Sequence, residues 1–204
     1  MKVVIIKYNA GNIRSVTFTL ERVGITPILS NDPEVIRAAD KIVFPGVGEA
    51  SSAMKFLKEK KLDEVIKSLK QPVLGICLGM QLLCKSSEEG STTCLGIFDV
   101  RVKHFSPFEG GVRLRRTGDV KVPQIGWNNI YDLKSPLFIG IKENEYMYFV
   151  HGYYAPKNEN SIATTNYITE YSSALQKDNF YAVQFHPEKS AEAGQRILKN
   201  FFDL

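Results

Sequence analysis

The chain has 204 residues, 44% of them hydrophobic and 24% charged, with a formal net charge of +4 from 26 basic and 22 acidic residues. This is the composition of a soluble globular protein, long enough to bury the core of one α/β domain over residues 1–204 and too short for two of ordinary size. It excludes a membrane-spanning chain, since no apolar stretch is long enough, and the basic residues are scattered rather than arrayed for nucleic acid.

In chain order, Val3-Val4-Ile5-Ile6 reads as a continuous apolar strand; it is too short for a signal core and has no cleavage site. Ile13, Val16, Leu20 and Val23 recur at helical spacing, and Gly24 ends that helix. Ile25 to Leu29 is a second strand, and Asn31-Asp32-Pro33 starts a short helix running to about Ala39. A third strand, Ile42-Val43-Phe44, leads into a tight loop, Pro45-Gly46-Val47-Gly48. Met54, Leu57, Leu62, Val65, Ile66 and Leu69 mark one face of a long helix that must stop before Pro72. Val73 to Ile76 is the next strand, followed by Cys77 and a helix opening on Met80-Gln81-Leu82-Leu83. Fully apolar strands separated by helices imply an α/β fold with a mostly parallel central sheet covered on both faces.

The second half carries more β signals: Ile97 to Val102, Ile125 to Ile130, Tyr146 to Val150, Ile162 to Thr165, Ser173 to Gln176 and Tyr181 to Phe185. Several are close enough in sequence to add antiparallel strands to the sheet. Phe105 to Val122 has glycine pairs and few core residues, so it reads as a long surface loop or hairpin. Its basic run, Arg113-Leu114-Arg115-Arg116, has no interleaved aromatics to stack bases and reads as a solvated face. A closing helix carries Ile197, Leu198, Phe201 and Phe202.

The chemistry concentrates at Gly75-Ile76-Cys77-Leu78-Gly79. A nucleophile elbow needs small residues two before and two after the nucleophile, because the strand-to-helix turn is sharp. The following helix points free N–H groups and its positive dipole end at the sulfur, favouring thiolate. The alternative is a buried structural cysteine; the two glycines after a β run favour the nucleophile. Cys77, Cys84 and Cys94 cannot all pair and match no zinc spacing, so a reducing cytoplasm is the simplest setting, and neither metal nor cofactor is expected.

A thiolate needs a base, in most such enzymes a histidine held by a carboxylate. Of three histidines, His104 and His151 have no acidic neighbour at a suitable spacing. His186 ends an apolar strand in Phe185-His186-Pro187-Glu188, where i and i+2 share a side in near-extended backbone and Pro187 stiffens the pair. An oxyanion formed by attack on a carbonyl needs N–H donors. Leu78 N–H supplies one, and the loop with Val47 and Gly48 is placed to supply the second; it lacks the motifs of a phosphate cradle.

These motifs, Pro45-Gly46-Val47-Gly48, Gly75-Ile76-Cys77-Leu78-Gly79-Met80-Gln81 and His186-Pro187-Glu188, in this order and at these separations, resemble the class I (triad) glutamine amidotransferases over nearly the whole chain. Within that class, Tyr8-Asn9-Ala10-Gly11-Asn12, Ser86-Ser87-Glu88-Glu89-Gly90, Pro123-Gln124-Ile125-Gly126-Trp127-Asn128 and Pro187-Glu188-Lys189-Ser190 resemble the glutaminase subunits of imidazole glycerol phosphate synthases. The resemblance implies a triad of Cys77, His186 and Glu188 that attacks the side-chain amide of glutamine, forms a glutamyl thioester and releases ammonia. A cyclase subunit in a heterodimer would use that ammonia to make imidazole glycerol phosphate and aminoimidazole carboxamide ribotide. It further implies that Gly48, Gln81 and Glu89 bind glutamine, together with the Gly152-Tyr153 segment, and that Asn9, Asn12, Gln124, Trp127, Tyr148 and Lys189 face the partner.

Three departures from the resembled pattern stand out: His151-Gly152-Tyr153 where a serine is common in the middle, Cys84-Lys85 where an aromatic and an acid are, and Gln124-Ile125 where His-Met is frequent. They bear on partner fit and glutamine orientation more than on the triad. Trp127 beside a glycine reads equally as an interface anchor or as core. Three alternative functions remain open at this level: a paralogous glutaminase feeding another acceptor, a self-sufficient Cys-His hydrolase, and a non-catalytic binding module.

Overall fold

A computed structural model describes residues 1–9, 11–106, 108–109, 112–113 and 121–204, the pairs at 108–109 and 112–113 by their backbone alone. The first half alternates β1 (Val3–Ile6), α1 (Ile13–Arg22), β2 (Ile28–Ser30), α2 (Pro33–Arg37), β3 (Lys41–Gly46), α3 (Ala50–Glu59), α4 (Leu62–Ser68), β4 (Val73–Cys77) and α5 (Leu78–Leu83). The second half adds β5 (Cys84–Ser87), β6 (Thr92–Thr93), β7 (Phe98–His104), β8 (Phe108–Glu109), β9 (Val112–Arg113), β10 (Gln124–Ile130), β11 (Glu145–His151), β12 (Tyr153–Pro156), β13 (Ser161–Tyr167), β14 (Thr169–Lys177), β15 (Phe180–Val183) and α6 (Ala191–Asp203).

Among the described residues the main sheet runs β2-β1-β3-β4-β15-β14-β12-β7-β5-β6, with β13 paired to β14. The strands β2, β1, β3, β4 and β15 are mutually parallel, and β14, β13 and β12 add antiparallel pairs, as the sequence pattern implies. The strands are apolar on both sides because helices cover both faces. In β1, Val4 and Ile6 pack with Met54, Leu57 and Ile66 of α3 and α4, while Val3 and Ile5 pack with Leu20 of α1 and Phe201 of α6. The structural neighbours reported below share this α/β fold.

The long helix expected over Met54 to Leu69 is two helices. Lys61 adopts a left-handed conformation (φ 55°) and separates α3 from α4. Leu57 and Leu62 are five positions apart, out of phase with a 3.6-residue turn, and the break brings both into the same core cluster. The second strand is confined to Ile28–Ser30, and β5, β6 and β12 had no sequence signal strong enough to read. The loop or hairpin expected over Phe105 to Val122 includes the antiparallel pair β8–β9, but Phe105 is not surface: it is fully buried and stacks on Tyr154; the basic run, apart from the backbone of Arg113, lies outside the described residues. Strands β10 and β11 form a separate antiparallel ribbon.

Candidate active site

Cys77 is the last residue of β4, at φ 55° and ψ −108°, and is 6% exposed. Its register partner is Gly46 of β3, so residues 47 and 48 and the start of α5 leave the same sheet edge side by side. The flanking glycines are demanded by packing. A Cβ on Gly79 would stand 1.8 Å from the Phe44 carbonyl oxygen, and one on Gly75 would stand 2.7 Å from Leu83 Cδ1 and 3.1 Å from the Gly79 backbone. The positive φ is thus held by α5 pressing against β3, which presents the sulfur where the helix begins.

His186 lies three residues past the end of the next strand of the sheet, β15, which stops at Val183 rather than running to Phe185 as expected. Its Nδ1 lies 2.8 Å from Glu188 Oε1, and both side chains are buried, at 1% and 0% exposure. The short 3-10 turn Pro187–Lys189 brings the carboxylate under the ring. Asn12, in a left-handed conformation before α1, donates its Nδ2 to the same Oε1. The backbone of His186 is pinned as well: its N–H donates to the Tyr148 carbonyl (2.8 Å) and its carbonyl accepts from Ser190 Oγ (2.7 Å). Ser190 Oγ in turn accepts from Tyr148 N–H (3.0 Å), so β11 grips the histidine segment twice. Burial opposes a charge on the His186 ring, but the adjoining Cys77 sulfur and the Glu188 carboxylate outweigh it and raise the imidazole to about 10. His186 is therefore held charged beside the sulfur, with Glu188 as its orienting carboxylate.

A cleft of about 300 Å³ opens over the sulfur, lined by Val47, Gly48, Cys77, Leu78, Gln81, Glu89, Pro123, Val150, His151, Gly152, Tyr153, His186 and Lys189. The lining includes every residue expected to bind glutamine. Glu89 Oε2 accepts from the Ala50 N–H at the start of α3 (2.8 Å); burial raises its carboxyl above the usual range, opposed by that hydrogen bond. Gln81 is buried, its Nε2 donating to the Tyr153 carbonyl (3.0 Å) and to Gln184 Oε1 (3.0 Å). Gly152 contributes backbone only, its carbonyl accepting from Phe105 N–H (3.0 Å). Among the described residues no group of three or more His, Cys, Asp and Glu side chains is placed to hold a metal ion.

A family model described as glutamine amidotransferase class-I matches residues 6–204. The chain belongs to that family. Its similar relatives include the imidazole glycerol phosphate synthase subunit HisH of Bacteroides fragilis strain YCH46, 58% identical over 204 residues and covering 100% of both chains. The subunits of the same name from Bacteroides thetaiotaomicron and Yersinia pestis are 53% and 47% identical, again over 100% of both chains. Among solved structures, a putative GMP synthase subunit from Thermoplasma acidophilum matches with a TM-score of 0.72 at 18% identity, covering 100% of this chain and 93% of that one. PurLQS from Thermotoga maritima matches with 0.68 at 14% identity, covering 99% and 97%. These two share its fold.

In this glutamine amidotransferase the residues expected at a partner surface divide. Trp127 is 53% exposed and meets Tyr148 edge-on, ring centroids 5.9 Å apart, so it is not core. Lys189 is exposed, its ammonium 5.8 Å from the Tyr148 ring centre, and Ile125 and Tyr146 extend the same ribbon at 64% and 58% exposure. Asn9 is exposed and donates to the Ser52 carbonyl (3.3 Å). Gln124 departs from expectation: it is 3% exposed, with its Oε1 on the buried Tyr171 hydroxyl (3.0 Å), because strand alternation turns it inward where Ile125 turns out. Asn12 is spent on Glu188. Neither Cys84, buried beneath α5, nor Lys85, paired with Asp99 at the surface (2.7 Å), reaches the cleft.

Sequence reading missed His151 and Gln184. His151 is buried with Nδ1 on the Tyr153 carbonyl (2.7 Å) and Nε2 by the Tyr171 hydroxyl (3.2 Å), and burial pushes it down to about 4, so it is neutral where His186 is charged. Its position at the end of a strand beside the departure at Gly152 was its one available signal. Gln184 was visible two residues before His186, on the side the strand turns toward Cys77.

Proposed function

We propose that this chain is the glutaminase subunit of an imidazole glycerol phosphate synthase, acting in histidine biosynthesis in the cytoplasm as a heterodimer with a cyclase subunit. The observation that carries the reading is a cleft lined by Cys77, His186 and Glu89, with Glu188 buried behind the His186 ring, in a chain 58% identical end to end to a subunit of that name. Glutamine lies in the cleft with its α-ammonium against Glu89 and its side-chain amide at Cys77, between the backbone N–H groups of Leu78 and the loop at Val47 and Gly48. The thiolate attacks the amide carbon, His186 delivers its proton to the leaving nitrogen, and ammonia departs, leaving a glutamyl thioester. Water, deprotonated by the now neutral His186, hydrolyses the thioester to glutamate and restores the sulfur.

Ammonia passes to the cyclase, which makes imidazole glycerol phosphate and aminoimidazole carboxamide ribotide. Trp127, Tyr148 and Lys189 are the surface that receives the partner. Glutamate release from glutamine, measured for the chain alone and then with the cyclase and its nucleotide substrate, tests the reading. A large stimulation is expected; equal rates in all cases would indicate a self-sufficient hydrolase, and stimulation only by an unrelated synthase would indicate another ammonia acceptor.

A further inference from the structure

We propose that the side-chain amide of Gln184 is a second donor, beside His186, that holds the Cys77 thiolate, and that Gln81 keeps this donor aimed. The proposal rests on the reading of Cys77 as the nucleophile. The register of β15 on β4 pairs Val183 with Ile76, which carries Gln184 to the level of Cys77 on the neighbouring strand. Gln184 Nε2 lies 3.7 Å from Cys77 Sγ, the residue is 0% exposed, and its backbone N–H is held by the Ser173 carbonyl (2.9 Å).

The two ends of an amide side chain are told apart only by their partners. Here a backbone carbonyl settles both amides in series. Tyr153 O can only accept, so the Gln81 atom 3.0 Å from it is the nitrogen. That nitrogen also lies 3.0 Å from one end of the Gln184 amide, which must therefore be the oxygen. The remaining end, facing the sulfur, is the N–H donor. The titratable groups facing the sulfur are the His186 ring, held charged beside it, and the Tyr8 hydroxyl. The sulfur also meets the Val150 carbonyl at 3.8 Å, which can accept only from an S–H. Val150 thus favours the thiol and Gln184 the thiolate, so this neutral donor adds to the His186 charge in shifting a largely buried sulfur toward the attacking form. Because Gln81 also lines the cleft, an occupant that displaced its amide would disturb the sulfur as well.

The test is the pH titration of the Cys77 thiolate in the full chain without glutamine, followed by thiolate ultraviolet absorbance and by the rate of iodoacetamide alkylation, with Cys77→Ala as the baseline. Gln184→Leu is expected to raise the midpoint by about one pH unit, the size of one lost charge-assisted bond. Gln184→Glu, almost the same shape, is expected to raise it further, because an oxygen replaces the donor. Gln81→Leu is expected to raise it less than Gln184→Leu. A space-filling role for Gln184 predicts the opposite order, with Gln184→Glu mildest. An unmoved midpoint in Gln184→Leu, or a Gln184→Glu midpoint no higher than that of Gln184→Leu, overturns the proposal. Should circular dichroism show that the Gln184 variants do not fold, an unmoved midpoint in Gln81→Leu overturns it. Failure of the nucleophile reading itself is seen separately, as glutamine hydrolysis persisting in Cys77→Ala.

Discussion

At the scale of single residues, the charge state of two buried histidines separates their work. His186 is held charged by the sulfur and by Glu188, whereas His151, buried and facing a carbonyl and a phenol, is held neutral. Cys77→Ala and His186→Ala are expected to lower glutaminase turnover by roughly 10⁶-fold, and Glu188→Gln by roughly 10⁴-fold, because a carboxylate that orients the ring transfers no proton itself. Steady-state glutamate release checks the order. The same shifts set opposite stability dependences. The His186 contribution is complete below about pH 6.5, its unfolded value, and is lost as pH rises through about 10. The His151 contribution is present above about pH 6.5 and is lost as pH falls through about 4. Urea midpoints against pH should show wild type losing its advantage over His186→Gln on the alkaline side and over His151→Gln on the acid side; parallel curves for either pair would contradict that assignment.

At the scale of elements, the strand-to-helix turn at Cys77 depends on the contact of α5 with β3. Because a Cβ on Gly79 would meet the Phe44 carbonyl oxygen at 1.8 Å, Gly79→Ala must separate the helix from the strand. It is expected to cost about 3 kcal/mol in urea unfolding and to lower turnover in whatever protein remains folded. The ribbon of β10 and β11 is the surface proposed to meet the cyclase. One side carries the exposed Trp127 edge-on to Tyr148, and the backbone of Tyr148 is bonded to His186 and Ser190. An anchor of this kind is worth about 2 kcal/mol at an interface, so Trp127→Ala is expected to weaken cyclase binding by about thirtyfold, measured by calorimetric titration. Both elements were legible in part. The flanking glycines announced the turn, since few other arrangements need glycine at that spacing, but the αL break at Lys61 and the strand β12 rest on weak local signals that tertiary packing overrode.

At the scale of the whole molecule, residues separated by more than a hundred positions meet at one sheet edge, because β3, β4 and β15 are adjacent and parallel. Apolar strands alternating with helices implied the neighbouring of β3 and β4, and so of the Gly48 loop and Cys77; the parallel placing of β15 beside β4, which brings His186 in, came from the tertiary structure. The chain by itself determined the residue types of the site, the elbow, the pairing of His186 with Glu188 two positions on, and the family, since each rests on local spacing that any fold of this class must respect. Only the tertiary structure decided which way side chains turn and what they spend their hydrogen bonds on: Gln124 inward, Trp127 outward, Asn12 onto Glu188, and Gln184 onto the sulfur. The physical reason is that a strand's alternation specifies two faces without saying which is covered, and a polar side chain has no partner until packing brings one within about 3 Å.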